Sequence, residues 1–309
     1  ARRRARAVGQ SLDWVQWFGS GRLADLPTTA FVRERYWLEA TARSGDIGAL
    51  GLSSGQHPWL GAMTRLAEGD GLLFTGRLGL AEQPWLADHV VFDTVLVPGT
   101  GVLELALAAA RAVGDSVVSE LALAAPLVLP RRGAVRIQVQ VEGPDAAGRR
   151  GLNLYSRPED GPEETPWTRH ATGVLAGATS NARFDEELTE WPPPGAVSVD
   201  LGELYPGLAV RGYRYGPAFQ GLTEVWRRGD VVFARVVLPE ALREGAGEYG
   251  LHPALLDAAL HALVADGEGV MVPFAFSEVV LHATGASELR VHLAPAGEGA
   301  ICLTLADGA

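Results

Sequence analysis

The sequence has little of what most recognisable catalytic patterns require. Cys302 is its only cysteine, which excludes an internal disulfide and any zinc site built on thiolates, and fits a reducing compartment. It sits in the apolar stretch 300–305, where a buried strand position is expected. The seven histidines are His57, His89, His170, His252, His261, His282 and His292. None forms an H-E-x-x-H pair or a ligand spacing with Asp or Glu, so no metal is expected. Glycine-rich phosphate loops are missing as well: Gly245-Ala246-Gly247 lacks a strand–turn–helix context, and Gly99-Thr100-Gly101 lacks the further glycine and acidic partner of a dinucleotide site. There is no Gly-x-Ser-x-Gly elbow. What remains is acid/base chemistry without a bound cofactor, or no catalysis.

Long apolar runs are absent too. The most hydrophobic stretch, 90–113, is interrupted by Asp93, Pro98, Glu104 and Arg111 and would not span a membrane. The basic start, Arg2, Arg3, Arg4 and Arg6, leads into Ser11-Leu12-Asp13-Trp14 rather than the apolar core of a signal peptide. A cytoplasmic location is therefore expected. Positive charge is in deficit: 26 Lys and Arg against 37 Asp and Glu leave a net charge of −11. An acidic surface repels phosphate backbones, so nucleic acid is not an expected partner. The arginines at the start read as a solvated helix face.

What is present suits a folded protein. Of 309 residues, 47% are hydrophobic and 20% charged, enough for one large or two small cores. The chain starts in helical character with alanine, as an excerpt of a longer polypeptide would. Residues 1–45 read as a linker, with a short helix holding Trp14, Trp17 and Phe18, and with Tyr36-Trp37 at its end. Residues 72–80 alternate like a strand, and 90–97 form an extended apolar segment ending at Pro98. A helix is predicted over about 101–113, N-capped by Thr100 and apolar nearly all round, hence buried. Strands follow at 117–129, 134–141, 152–157 and 170–176. The acidic, proline-bearing stretch 181–199 contains Pro192-Pro193-Pro194 and reads as an interdomain linker.

The pattern then recurs. A Gly/Tyr-rich turn at 212–221 precedes strands at 222–228 and 231–238, a helix at about 253–265, and strands at 271–276, 289–293 and 301–305. Each half pairs one buried helix with several antiparallel strands, an α+β arrangement. The halves are expected at 46–180 and 200–309.

Two places carry candidate chemistry. His89 precedes the apolar segment that ends at Pro98; a histidine beside a strand also reads as structural. Asp257 lies on a helix among Leu255, Leu256, Leu260 and Leu263, and Asp is rarely buried without a partner. His261, four residues on, shares its face, although a surface Asp/His pair has the same spacing. A carboxyl buried in apolar company has a raised pKa and stays protonated as an acid, while a shielded neutral imidazole accepts a proton. Such an acid and base facing one substrate suit elimination of water.

Four stretches together resemble the dehydratase domains of modular type I polyketide synthases. His-x-x-x-Gly-x-x-x-x-Pro appears from His89 to Pro98, with Asp93 in place of glycine. Gly-Tyr-x-Tyr-Gly-Pro-x-Phe is complete at Gly212-Tyr213-Arg214-Tyr215-Gly216-Pro217-Ala218-Phe219. Asp-x-x-x-Gln/His reads Asp257-Ala258-Ala259-Leu260-His261, preceded by His252-Pro253. Leu-Pro-Phe-x-Trp is approximated by Val272-Pro273-Phe274-Ala275-Phe276. His57-Pro58-Trp59-Leu60-Gly61 resembles the family's first strand, and the start, from Leu26-Pro27-Thr28 to Tyr36-Trp37, resembles the linker after an acyltransferase domain.

The resemblance implies a double hot-dog fold, each half wrapping a curved sheet round one long helix, with the last strand of the second half lacking. It assigns His89 as general base and Asp257 as general acid. His261 orients the acid and Tyr215 hydrogen-bonds it or the leaving hydroxyl. Asp93, Pro98, Gly216, Pro217, Phe219, Pro273, Phe274 and Phe276 would line the oxyanion site or substrate tunnel. It implies that the domain binds no cofactor of its own and takes its substrate on the phosphopantetheine arm of an acyl carrier protein, which could dock on a local basic area. Neighbouring synthase domains and a second copy of the chain are the other implied partners. Asp93 departs from the pattern: it needs dihedral angles that a non-glycine tolerates, and its carboxylate could oppose an enolate or hold His89 protonated. That leaves two alternatives open, a non-catalytic acyl-binding scaffold and a double-bond isomerase or cyclase of the same fold.

Overall fold

The computed structural model describes residues 47–177, 188–264, 273–297 and 299–307, with Gln16 and Gly19 ahead of them. Of the helix expected around Trp14–Phe18 only Gln16 is described, and it is helical; Trp14, Trp17, Phe18 and the aromatic pair Tyr36-Trp37 lie outside the described residues. Residues 1–44 and 45–309 form two compact units.

In chain order the elements of the second unit are β1 (Ser53–His57), β2 (Leu60–Arg65), β3 (Leu72–Gly79), β4 (His89–Val91), β5 (Thr94–Val95), α1 (Gly99–Val113), β6 (Val117–Leu123), β7 (Ala134–Val141), β8 (Arg150–Pro158), β9 (Thr168–Ala176), β10 (Val197–Val199), α2 (Leu204–Val210), β11 (Tyr213–Tyr215), β12 (Leu222–Arg228), β13 (Val231–Val237), α3 (Glu240–Arg243), α4 (Pro253–His261), β14 (Ala275–Val280), β15 (Glu288–Pro295) and β16 (Ile301–Ala306).

Among the described residues the strands form three antiparallel sheets. Eight strands run in the order β1-β2-β3-β7-β8-β9-β6-β14, five in the order β10-β12-β13-β15-β16, and three as β11-β4-β5. The period-2 rule is plain in β7, where Val135, Ile137, Val139 and Val141 are buried while Arg136 and Gln140 are exposed. Helix α1 packs on β6, β7 and β9, and α4 packs on β12, β13 and β15. The two helices also touch each other. Covered on both sides, α1 is buried at every residue from Thr100 to Ala110, which is why its sequence is apolar nearly all round. Each of its leucines contributes about 1.5–3 kcal/mol by leaving water.

Two strands cross between the halves of the sequence. β14 pairs with β6 and extends the first sheet. β11 pairs with β4, setting Tyr215 opposite His89.

Several local expectations change. Thr100 does not cap α1; Pro98 occupies the cap with no side-chain bond, because the Thr100 hydroxyl donates instead to the Pro253 carbonyl at 3.0 Å. The stretch 212–221 is not all turn, since Tyr213–Tyr215 completes the small sheet. His57-Pro58-Trp59 spans the end of β1 and the turn into β2. Residues 181–187 of the expected linker are outside the described residues; beyond its prolines, Val197–Val199 pairs with β12. Of the strand expected at 271–276, Met271 and Val272 lie outside the described residues and pairing starts at Ala275. Cys302 is exposed rather than buried, because β16 is the edge strand of its sheet. No described helix is long and apolar enough to cross a membrane.

Candidate active site

The small sheet and the two buried helices bring the candidate residues together. A 3-10 turn over Pro84–Asp88 delivers the chain into β4, whose first residue is His89. The His89 ring is buried, and its Nδ1 lies 3.0 Å from the Leu96 carbonyl oxygen. A carbonyl only accepts, so Nδ1 carries the hydrogen and Nε2 presents its lone pair. Burial lowers the His89 pKa below the ordinary imidazole value, with the Asp257 charge and the Leu96 carbonyl opposing. His89 Nε2 stands 3.9 Å from Asp257 Oδ2.

Asp257 projects from α4, whose N-terminus is built by His252-Pro253. His252 caps the helix by accepting the Ala254 N–H on Nδ1 at 3.2 Å, and proline suits the first helical position. One turn past Asp257, His261 places Nε2 3.1 Å from its Oδ2. The expectation of a raised carboxyl pKa is overturned. Burial is the largest influence and pushes Asp257 up, but the His261 hydrogen bond and the charges of His261 and His89 outweigh it and hold the carboxyl below the usual carboxylate range. Because burial keeps His89 neutral, the contact with His261 accounts for that hold.

Aromatic rings enclose the pair. Tyr215 lies 4.2 Å from the His261 ring and 5.5 Å from His89, and Phe219 lies 5.0 Å from His89. Burial, then the Asp257 charge, raises the Tyr215 pKa, so its hydroxyl stays a neutral donor. The Tyr215–Phe219 turn is clamped by Asp88. The Asp88 carbonyl accepts the Gly216 N–H at 2.8 Å and its carboxylate accepts the Ala218 N–H at 2.9 Å. A Cβ on Gly216 would overlap the Asp88 carboxylate, which explains the glycine. Pro217 opens the single 3-10 turn that buries Phe219.

The other candidates sit at the start of α1 and in the β4–β5 turn. Pro98 caps α1, and Pro273 and Phe276 flank its first residue, Gly99. The Phe274 side chain is exposed, while its carbonyl accepts the Leu123 N–H at 2.8 Å. Phe92 and Asp93 form a two-residue hairpin turn between β4 and β5, with φ of 45° and 64°. Aspartate tolerates that left-handed geometry better than most residues. The Asp93 side chain is 80% exposed and ion-paired with Arg214.

Thr100 is a site residue that the motifs do not mark. Together with Glu104 it is one of only two buried polar side chains on an otherwise apolar helix, and that incongruity is the signal the sequence offers. Among the described residues no group of three His, Cys, Asp or Glu side chains is arranged to hold a metal ion.

Comparison with known proteins accounts for this constellation. A family model described as "Polyketide synthase dehydratase domain" matches residues 57–157, and one described as "Polyketide synthase dehydratase N-terminal domain" matches residues 183–305. Polyketide synthase GfsA of Streptomyces halstedii is 52% identical over 98% of this chain. The chain belongs to the polyketide synthase dehydratase family. It spans 4% of the length of GfsA. Among solved structures, the dehydratase domain from the terminal module of the rifamycin synthase is 47% identical, with a TM-score of 0.79 over 85% of this chain and 95% of that one. The bifunctional dehydratase-cyclase domain in ambruticin biosynthesis is 49% identical, with a TM-score of 0.76 over 83% of this chain and 94% of that one. The dehydratase fold is thus the double hot-dog, in which α1 and α4 are the two wrapped helices, and the domain is a hydro-lyase of a multienzyme synthase.

Proposed function

We propose that the domain removes water from a 3-hydroxyacyl chain held on the phosphopantetheine arm of an acyl carrier protein, leaving the 2,3-enoyl thioester. The observation that carries this reading is the convergence of His89 Nε2 and Asp257 Oδ2, 3.9 Å apart. They come from opposite halves, and the imidazole tautomer is set by Leu96. His89 takes the proton beside the thioester carbonyl. In the substrate complex Asp257 carries the proton that it passes to the departing hydroxyl. After release, His89 returns its proton to Asp257, so the cycle closes with one water formed. Tyr215 donates its hydroxyl hydrogen to the acid or the leaving group. Backbone N–H groups near Asp93, together with the start of α1, receive the thioester oxygen as charge develops, and Pro98, Gly216, Pro217, Phe219, Pro273, Phe274 and Phe276 shape the acyl path. The reaction needs no cofactor held by the domain.

The placement of Asp93 supports an active enzyme over a scaffold. Its carboxylate is turned to solvent and neutralised by Arg214, so it neither faces His89 nor opposes the enolate. The likeness to the ambruticin dehydratase-cyclase favours a second reading, in which the same His/Asp pair also closes an oxygen ring on the unsaturated product. In the same proposal, residues 1–45 are the linker after an acyltransferase domain, 46–180 and 200–309 are the two halves joined by 181–199, and the domain works in the cytoplasm as a homodimer among its neighbouring synthase domains.

The test is to incubate the domain with 3-hydroxyacyl carrier proteins of several chain lengths and both hydroxyl configurations, following mass. Loss of one water is expected, falling at least about 100-fold in His89→Ala and Asp257→Asn. A folded wild-type domain that releases no water from any of them would overturn the reading.

A further inference from the structure

A second buried polar cluster lies at the seam of the two helices. Glu104 on α1 is only 1% exposed. Its Oε1 accepts the Gly250 N–H at 2.7 Å and its Oε2 accepts the Leu251 N–H at 3.0 Å. Arg111, two turns along the same helix, places Nη2 3.2 Å from Oε1. His57 accepts the Trp59 N–H on Nδ1 at 3.1 Å; its other nitrogen, which then carries the hydrogen, stands 3.6 Å from Glu104 Oε1. A Cβ on Gly250 would overlap the Arg111 guanidinium, so a glycine lets the loop close on the cluster.

Gly250 and Leu251 immediately precede His252-Pro253, where α4 begins. Thr100, one turn before Glu104, grips the Pro253 carbonyl at 3.0 Å. One face of the first half's helix therefore holds three backbone groups at the root of the helix that carries Asp257. A buried carboxylate that accepts two N–H groups is demanding in geometry, because each bond is charge-assisted and no water can replace it. Burial pushes the Glu104 pKa up, but the hydrogen bonds from His57, Leu251 and Gly250 and the Arg111 charge outweigh it and hold it below the ordinary value, so it works as an anion.

We propose that Glu104 is a positioning residue for the dehydration: it fixes the height of α4 against α1 and thereby the separation of Asp257 from His89. The proposal rests on the reading of His89 and Asp257 given above. Glu104→Gln keeps the shape but turns an amide N–H₂ toward one of the two backbone donors, so the loop must move. A displacement of about 1 Å at a reacting group costs up to roughly 100-fold in rate.

The experiment compares wild type and Glu104→Gln in water loss from the acyl carrier protein substrate, and in NMR titration of the His89 ring. The expected result is a kcat lower by roughly 10- to 100-fold with KM within about twofold. The His89 midpoint should also fall, because a receding Asp257 raises it less. A folded Glu104→Gln protein with wild-type kcat and an unshifted His89 midpoint would reduce Glu104 to a fold-stabilising role and overturn the inference, whatever its melting temperature. If Glu104→Gln does not fold, Glu104→Asp keeps the charge and shortens the reach; both readouts should then move the same way, and wild-type values would again overturn it. A wild-type domain without dehydratase activity would defeat the functional reading instead, and the titration would still decide whether Glu104 governs the His89–Asp257 distance.

Discussion

At the scale of single residues, the site depends on how burial and neighbours divide protons. Burial keeps His89 neutral, while the contact with His261 holds the Asp257 pKa below the usual carboxylate range against the same burial. Since His89 must be neutral to accept a proton, the acid limb of kcat/KM reports its titration. The limb is expected below about pH 6.5, the reference imidazole value, falling about tenfold per unit once His89 is protonated. Asp257→Asn removes the charge that raises the His89 pKa, so the NMR midpoint of His89 in that protein should fall further; a rise would contradict the electrostatic account. The same preference links to stability. A lowered histidine contributes stability that is complete above its unfolded pKa and is lost as pH falls through its folded one.

At the scale of elements, α4 has the most exacting requirements. Its N-cap is the imidazole of His252, whose pKa burial pushes down to about 4, with the Glu104 charge opposing. A protonated Nδ1 cannot accept the Ala254 N–H, so the cap fails on acidification. The sign is that of a depressed group: full stabilisation above about pH 6.5, lost toward about pH 4, worth up to about 3 kcal/mol. Urea unfolding at about pH 7 and about pH 4.5 measures it. In His252→Asn, whose amide oxygen can cap without titrating, the difference between the two pH values should shrink by most of that amount; an unchanged difference would place the acid sensitivity elsewhere.

At the scale of the whole molecule, the halves that repeat in sequence are not independent in space. β14 completes the first sheet by pairing with β6, β11 pairs with β4, and α1 and α4 cover one another. Cutting the chain in the 178–187 stretch would leave β6 with an open edge, β4 without its partner and each helix with an uncovered apolar face. Residues 45–177 and 188–309 made separately are therefore expected to lack cooperative unfolding by circular dichroism and dispersed NMR spectra, and to regain both when co-expressed. A stable fold in either piece alone would show that the crossed strands are dispensable.

The sequence alone is enough to mark β3, β7, β12, β13 and α1, because periodicity in apolar residues reports which face leaves water, a local property of the chain. It also singles out His89, Tyr215, Asp257 and His261, whose residue types and order resemble one family. It does not say that the Asp93 carboxylate turns outward to Arg214, that Thr100 reaches Pro253 instead of capping its own helix, that Cys302 lies on an open edge, or that β14 joins the other sheet. The ionisation of Asp257 departs from expectation for the same reason. Apolar neighbours along the helix imply a raised carboxyl, and only the folded chain aims the His261 ring nitrogen at it. Coulomb and hydrogen-bond energies depend on distance in space, and between residues far apart in the chain only the tertiary structure decides that distance.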